Sequence, residues 1–136
     1  MKLTDHDALQ YSPLALAFIG DSVYEQLVRE RLIVRFNTTA NALHKLAVEK
    51  VCAEFQSAAI HELMQSGILT EQETEVYKRG RNANGINPPK HSSVGEYRSA
   101  TGLETLFGFL KLTDRTERIE ELFSLIWEYG ESRESK

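Results

Sequence analysis

Ser12-Pro13 is followed by seven residues, "LALAFIG", with no polar side chain among them, and then by Asp21. Serine before proline is a strong helix start. The serine oxygen can accept from free backbone N–H groups, and proline has a helical φ and no N–H left over. The pattern predicts a helix from about Pro13 to Val34. Over its first two turns it is apolar on all sides, and such a helix must be covered on all sides. It is therefore central to the fold or seated in a subunit interface. A chain of 136 residues can build a real but small core, so association with a second copy would help.

The same signals recur downstream. Thr38 or Thr39 caps a second helix, with Ala42, Leu43, Leu46, Ala47, Cys52, Phe55, Ala59, Leu63 and Met64 as its apolar positions and Gly67 as its stop. "TEQE", Thr70 to Glu73, reads as a capping box and opens a third, charged helix to about Arg79 or Asn82. A fourth helix covers about Glu96 to Leu112. A fifth starts near Asp114, with Asp114 and Glu117 as a box-like pair, and runs to Tyr129. Its stripe is Ile119, Leu122, Phe123, Ile126 and Trp127. Residues 131–136 read as a frayed tail. No strand-type alternation persists. The expectation is an all-α domain spanning residues 1–136.

Composition narrows the setting. The lone cysteine, Cys52, argues against a disulfide scaffold and for a reducing cytoplasm. The N-terminus has no apolar signal region, and no apolar run is long enough to span a membrane. Net charge is −4, so the average surface does not advertise a nucleic-acid partner. The distribution is uneven, however. Lys78, Arg79, Arg81, Lys90 and Arg98 face Glu96 alone over 21 residues, which makes that stretch +4 and the remainder −8. It flanks one long loop, "GRNANGINPPKHSSVGE", which also carries Asn82, Asn84, Asn87, His91, Ser92 and Ser93. Loops of that length are commonly functional. The cluster reads either as a phosphate-facing surface or as an ordinary solvated loop.

Two carboxylates stand on inward faces. Asp21 has Ala17 and Phe18 behind it and Tyr24 and Glu25 ahead. Glu104 has Ala100 and Thr101 behind it and Phe107 and Gly108 ahead. An unpaired charge there is costly, and neither acid has Lys or Arg three or four positions away. A basic partner from elsewhere, protonation or a bound cation would each resolve the cost. Simpler readings also stand: Asp21 as the N-cap of a restarted helix, Glu104 as a boundary residue reaching water. Ala17, Gly20, Gly102 and Gly108 leave room for a helix, an ion or a nucleic-acid backbone.

Taken together, these segments resemble a known family. "LAFIGDSVYEQLV" resembles the signature helix of ribonuclease III, and "ATGLETLFGFLKL" resembles its second catalytic helix. "YKRGRNA" between them resembles the compact Mini-ribonuclease III group. The resemblance covers essentially the whole chain, and nothing after the fifth helix would form a double-stranded-RNA-binding domain. It implies a helical, dimeric fold and Mg²⁺-dependent endonucleolysis of double-stranded RNA, with Mn²⁺ as an alternative ion. It matches Asp21 and Glu104 to the catalytic, metal-holding acids. Two family acids are Ala17 and Thr101 here, which leaves the number of ions open, and Glu25 is a candidate to compensate. The resemblance further implies products with 5′-phosphate ends, a ribosomal RNA precursor of the 23S type as target, and no membrane role. Lys78, Arg79, Arg81, Asn82, Lys90, His91 and Arg98 are the expected RNA contacts, and Phe18 is the expected homodimer contact. The alternative is a dimer of the same fold that binds structured RNA without cutting it.

Overall fold

The computed structural model describes residues 2–90 and 93–134, and these form helices and loops without a strand. The helices are α1 (Asp5–Ala8), α2 (Pro13–Arg35), α3 (Ala40–Val51), α4 (Ala53–Gln65), α5 (Glu71–Arg81), α6 (Val94–Leu112) and α7 (Thr116–Glu134). The all-α expectation holds. Ser12 caps α2 through Ala15 N, and Thr39 caps α3 through Ala42 N. Thr70 and Glu73 form the capping box of α5.

The helix covered on all sides is α6. Eleven of its residues are buried, and it packs against α2, α4, α5 and α7. Leu103, Leu106, Phe107, Phe109 and Leu110 are wholly enclosed, each contributing roughly 1.5–3 kcal/mol. Around them, Tyr24 meets Phe107 and Phe123 edge-on at 5.8 and 5.7 Å. The α2 helix buries only one side within the chain: Ala15 is exposed, and Phe18 is 83% exposed.

Helices α2 and α6 touch backbone to backbone. A Cβ on Gly20 would stand 1.7 Å from the Glu104 carbonyl oxygen, and one on Gly108 would stand 1.8 Å from the Leu16 carbonyl oxygen. No side chain fits at either point. Of the three partners the small residues allowed, the structure selects a helix.

Three boundaries differ from the sequence reading. The second helix divides at Cys52, whose backbone is extended (φ −68°, ψ 153°). Cysteine is no breaker; the break is held by one tertiary and one local contact. Tyr24 Oη donates to the Lys50 carbonyl at 2.6 Å, and Gln56 Nε2 donates to the Val51 carbonyl at 2.9 Å. Two carbonyls that a helix end leaves open are thereby satisfied. Asp114 is no cap: it turns the chain with φ 60°, an angle Asp tolerates, and α7 begins at Thr116. Gly130 does not end α7, which continues to Glu134. Gly130 instead makes room for Lys50 Nζ, which would lie 2.7 Å from a Cβ there and which donates to Glu134 Oε1 at 3.0 Å. The short α1 was not anticipated; it is tied to the turn between α6 and α7 by the Asp5–Arg115 ion pair at 2.8 Å. Among the described residues no helix is long and apolar enough to cross a membrane.

Candidate active site

The glycine-tight crossing sets Asp21 beside Glu104. Asp21 lies inside a continuous α2, so it is not the N-cap of a restarted helix. Glu104 is half-buried rather than stretched into solvent. Both line an open cavity of about 440 Å³, whose walls come from α2, the end of α3, α4, α6 and the loop after α5. Phe18 stands at its rim, and Gly85, Ile86 and Asn87 close one side.

Among the described residues no cation neutralises the pair. Among the described residues the ion pairs use other acids, and none includes Asp21 or Glu104. Burial first, and then the charge of Asp21 beside it, pushes the Glu104 carboxyl up to about 8. A hydrogen bond from Gln56 Nε2 to Glu104 Oε2 at 3.4 Å opposes that shift. Glu25 is turned to Arg29 at 3.0 Å and adds only a distant repulsion.

This donor set suits a hard divalent ion. It consists of oxygen ligands on rigid helices, with a fully buried amide oxygen, Gln56 Oε1, that has no partner among the described residues. Ala17 and Thr101 both line the cavity. Among the described residues no third His, Cys, Asp or Glu completes a metal-binding group.

The expected RNA contacts lie elsewhere. Lys78, Arg79 and Lys90 are exposed. Arg79 reaches the Leu9 carbonyl at 3.3 Å. The Arg81 guanidinium sits 5.6 Å over the Tyr77 ring, and its Nε donates to Asn82 Oδ1 at 3.2 Å. Arg81, Asn82 and Arg98 share a separate depression with Ser57, His61 and Ser93. Arg98 turns back on the loop, donating to the Arg81 and Ala83 carbonyls at 3.0 and 3.2 Å. It thereby closes the end of α5. His91 lies outside the described residues.

The sequence reading missed Gln56, Asn87 and Tyr97 as cavity residues. For Gln56 a signal existed. It has Ala53 behind it and Ala59 and Ile60 ahead, the same setting of a polar group on an apolar face that marked Asp21.

The chain is similar to proteins of one family. The model of the ribonuclease III domain matches residues 14–115. A Mini-ribonuclease 3 from Enterococcus faecalis is 41% identical over 129 residues, covering 94% of this chain and 98% of the relative. One from Symbiobacterium thermophilum is 46% identical over 114 residues, covering 84% and 86%. A crystal structure of a Fusobacterium nucleatum protein shares the fold with a TM-score of 0.77 at 29% identity, covering 88% and 94%. Its fold, its crossing of two acid-bearing helices and these relatives lead to one conclusion: the chain belongs to the ribonuclease III family, in its compact Mini-ribonuclease 3 group.

Proposed function

We propose that this chain is a homodimeric endoribonuclease that cuts double-stranded RNA with a divalent ion, Mg²⁺ or Mn²⁺, held by Asp21 and Glu104. Family membership makes it a ribonuclease III-type nuclease. The observation that carries the finer reading is the paired, uncompensated acids in an open cavity. When bound, the ion supplies Lewis-acid charge for water activation and for the leaving oxygen. The chain's own residues do the placing. Asp21 and Glu104 present oxygens from two helices locked at Gly20 and Gly108. Gln56 steadies Glu104. Val51, Ala53 and Ala100 line the wall beside them. The open side admits a phosphodiester backbone. Products would carry 5′-phosphate and 3′-hydroxyl ends.

Recognition by shape suits a duplex, because A-form RNA hides its base edges in a deep, narrow groove. Lys78, Arg79, Arg81, Asn82 and Lys90 would meet phosphates, with His91 as a further candidate. Arg98 would serve by holding the loop as well as by its charge. Phe18, exposed beside the cavity, supports a two-fold dimer across α2. The ribosomal precursor of the 23S type rests on the resemblance to the Mini-ribonuclease III group, and the cytoplasmic setting on the lone Cys52. Sequencing ribosomal RNA ends in cells lacking the protein tests the target; unchanged ends refute it.

A second reading has its own observation. Ala17 and Thr101 leave the cavity without the family's further acids, which suits a protein that holds structured RNA without cutting. One gel separates the two. Duplex RNA cut with Mg²⁺ and left intact with EDTA supports the enzyme. A shifted, intact duplex in both supports the binder. Neither cutting nor shift removes both.

A further inference from the structure

The cavity is short of charge for its size. Of the residues that line it, only Asp21 and Glu104 are acids, and none is a base. Gln56, Asn87, Tyr97 and Thr101 supply uncharged polar groups, and the other walls are apolar or glycine. One helical turn before each acid, on the same face, stand Ala17 and Thr101. Both line the cavity, and each is 8% exposed. A carboxylate at either place would face the site. Ala17 offers only a methyl group. The Thr101 hydroxyl donates to the Tyr97 carbonyl of its own helix at 3.0 Å and brings no charge. Glu25, the next acid along α2, pairs with Arg29 at 3.0 Å and does not line the cavity.

This inventory decides how many ions the acids can hold. A single Mg²⁺ is commonly bound through one or two protein carboxylates, with water or phosphate oxygens completing its octahedron. Two carboxylates are therefore enough for one divalent ion. In a two-ion site the metals stand about 3.5–4 Å apart. Doubly charged ions repel about four times as strongly as unit charges at the same distance, and further carboxylates around them have to offset that repulsion. Among the described residues no third acid is placed to do so.

We infer that the site takes a single divalent ion per subunit, and that Ala17 and Thr101 are the positions that keep a second one out. The inference rests on the reading that Asp21 and Glu104 hold the ion. It leaves the single-centre modes of metal-assisted hydrolysis and removes the two-ion clamp on attacking and leaving oxygens.

The test is a Mn²⁺ titration of the purified full chain to saturation, read as loss of the free-ion EPR signal. Ions held elsewhere on the acidic surface are subtracted with the double variant Asp21→Asn/Glu104→Gln. Wild type is expected to bind one Mn²⁺ per chain more than that variant, with no sign of exchange coupling between neighbouring ions. Two more per chain would overturn the inference and leave the site standing. No difference between the two proteins would overturn the site, and the inference with it. Adding the missing charge should open the second position. Ala17→Glu/Thr101→Asp is expected to bind one further Mn²⁺ per chain and to show the coupled signal of a close pair. If that protein folds, by its thermal melt without metal, and still binds one, Ala17 and Thr101 are not what excludes the second ion. If it does not fold, the difference between wild type and Asp21→Asn/Glu104→Gln decides the count alone.

Discussion

Glu73 and Glu104 are both acids on inward-facing helix positions, and the chain treats them in opposite ways. At the junction of α5 and α7, Glu73 is 4% exposed. Arg118 binds both its oxygens, at 2.8 and 2.7 Å, and Thr70 donates its backbone N–H at 2.9 Å. Burial works against its charge, but the hydrogen bonds from Arg118 and Thr70 outweigh it and hold the carboxyl below its ordinary range. Arg118 is itself shared with Glu121 and with the Ile68 carbonyl. At the crossing of α2 and α6, Glu104 has burial and Asp21 against it, with one long hydrogen bond from Gln56 in its favour. An acid that brings its own cation is part of the scaffold. An acid pair held together without one fits the proposed cation site.

The sharpest break between the regions is in activity. Asp21→Asn or Glu104→Gln should lower single-turnover duplex cutting by at least 10²–10³-fold, the scale for removing one electrostatic stabiliser. Both variants should melt no lower than wild type without metal, because each removes a repulsion. Glu73→Gln should show the reverse. Cutting per folded molecule stays near wild type, while stability falls by about 2–3 kcal/mol, at the low end for a broken buried pair because Arg118 is partly exposed. Calorimetry and a stopped-time cutting assay on the same preparations decide it.

Geometry gives the next effect. Gly20→Ala would drive a methyl into the Glu104 carbonyl and force α2 from α6. Overpacking of this kind costs about 1–3 kcal/mol or more, and displacement of Asp21 should cost cutting out of proportion to the loss in stability. A Gly20→Ala protein with wild-type rate would show that the close crossing does not set the acids.

The two acids also carry opposite pH signs. Glu104, raised to about 8 from 4.5, binds its proton more tightly in the folded chain. Its charge penalty is absent below about pH 4.5 and grows to its full value by about pH 8, so metal-free stability falls across that window. Glu73, lowered from 4.5, contributes stability that is present above that value and lost as pH falls through its folded pKa. Thermal melts in EDTA should show the alkaline decline vanish in Glu104→Gln and the acid decline shrink in Glu73→Gln.

The smallest effects belong to the basic residues on the helices that flank the loop. Lys78→Ala, Arg79→Ala and Arg81→Ala should each weaken duplex affinity a few-fold and flatten its salt dependence, without altering cutting at saturating RNA. Arg98→Ala should do more, because its NH1 bridges the Arg81 and Ala83 carbonyls and holds the loop that walls the cavity.

What was legible in the sequence was whatever local chemistry decides. Ser12-Pro13, Thr39 and the Thr70–Glu73 box mark helix starts by satisfying their own backbone, so they read correctly in isolation. Asp21 and Glu104 stood out because polar groups on apolar faces are expensive anywhere. The break at Cys52 was not legible, because Tyr24 reaches the Lys50 carbonyl from another helix, and Gln56 turns back to the Val51 carbonyl only once α4 has started afresh. The role of Arg98 was hidden for a similar reason: its charge is visible in the sequence, but the two carbonyls it binds are set by the loop. Glu73 shows the limit of the inward-acid argument. It read as a cap, and its Arg118 partner, 45 positions away, separates it from Glu104 only in three dimensions.

The claim that Glu104 and Asp21 await a cation while Glu73 has one is tested most directly by a crystal of the protein soaked in Mn²⁺ and measured at the manganese absorption edge. The account predicts an anomalous peak between the Asp21 and Glu104 carboxylates in every copy and none at Glu73. No peak at the crossing, in crystals whose soak saturates binding in solution, would contradict it.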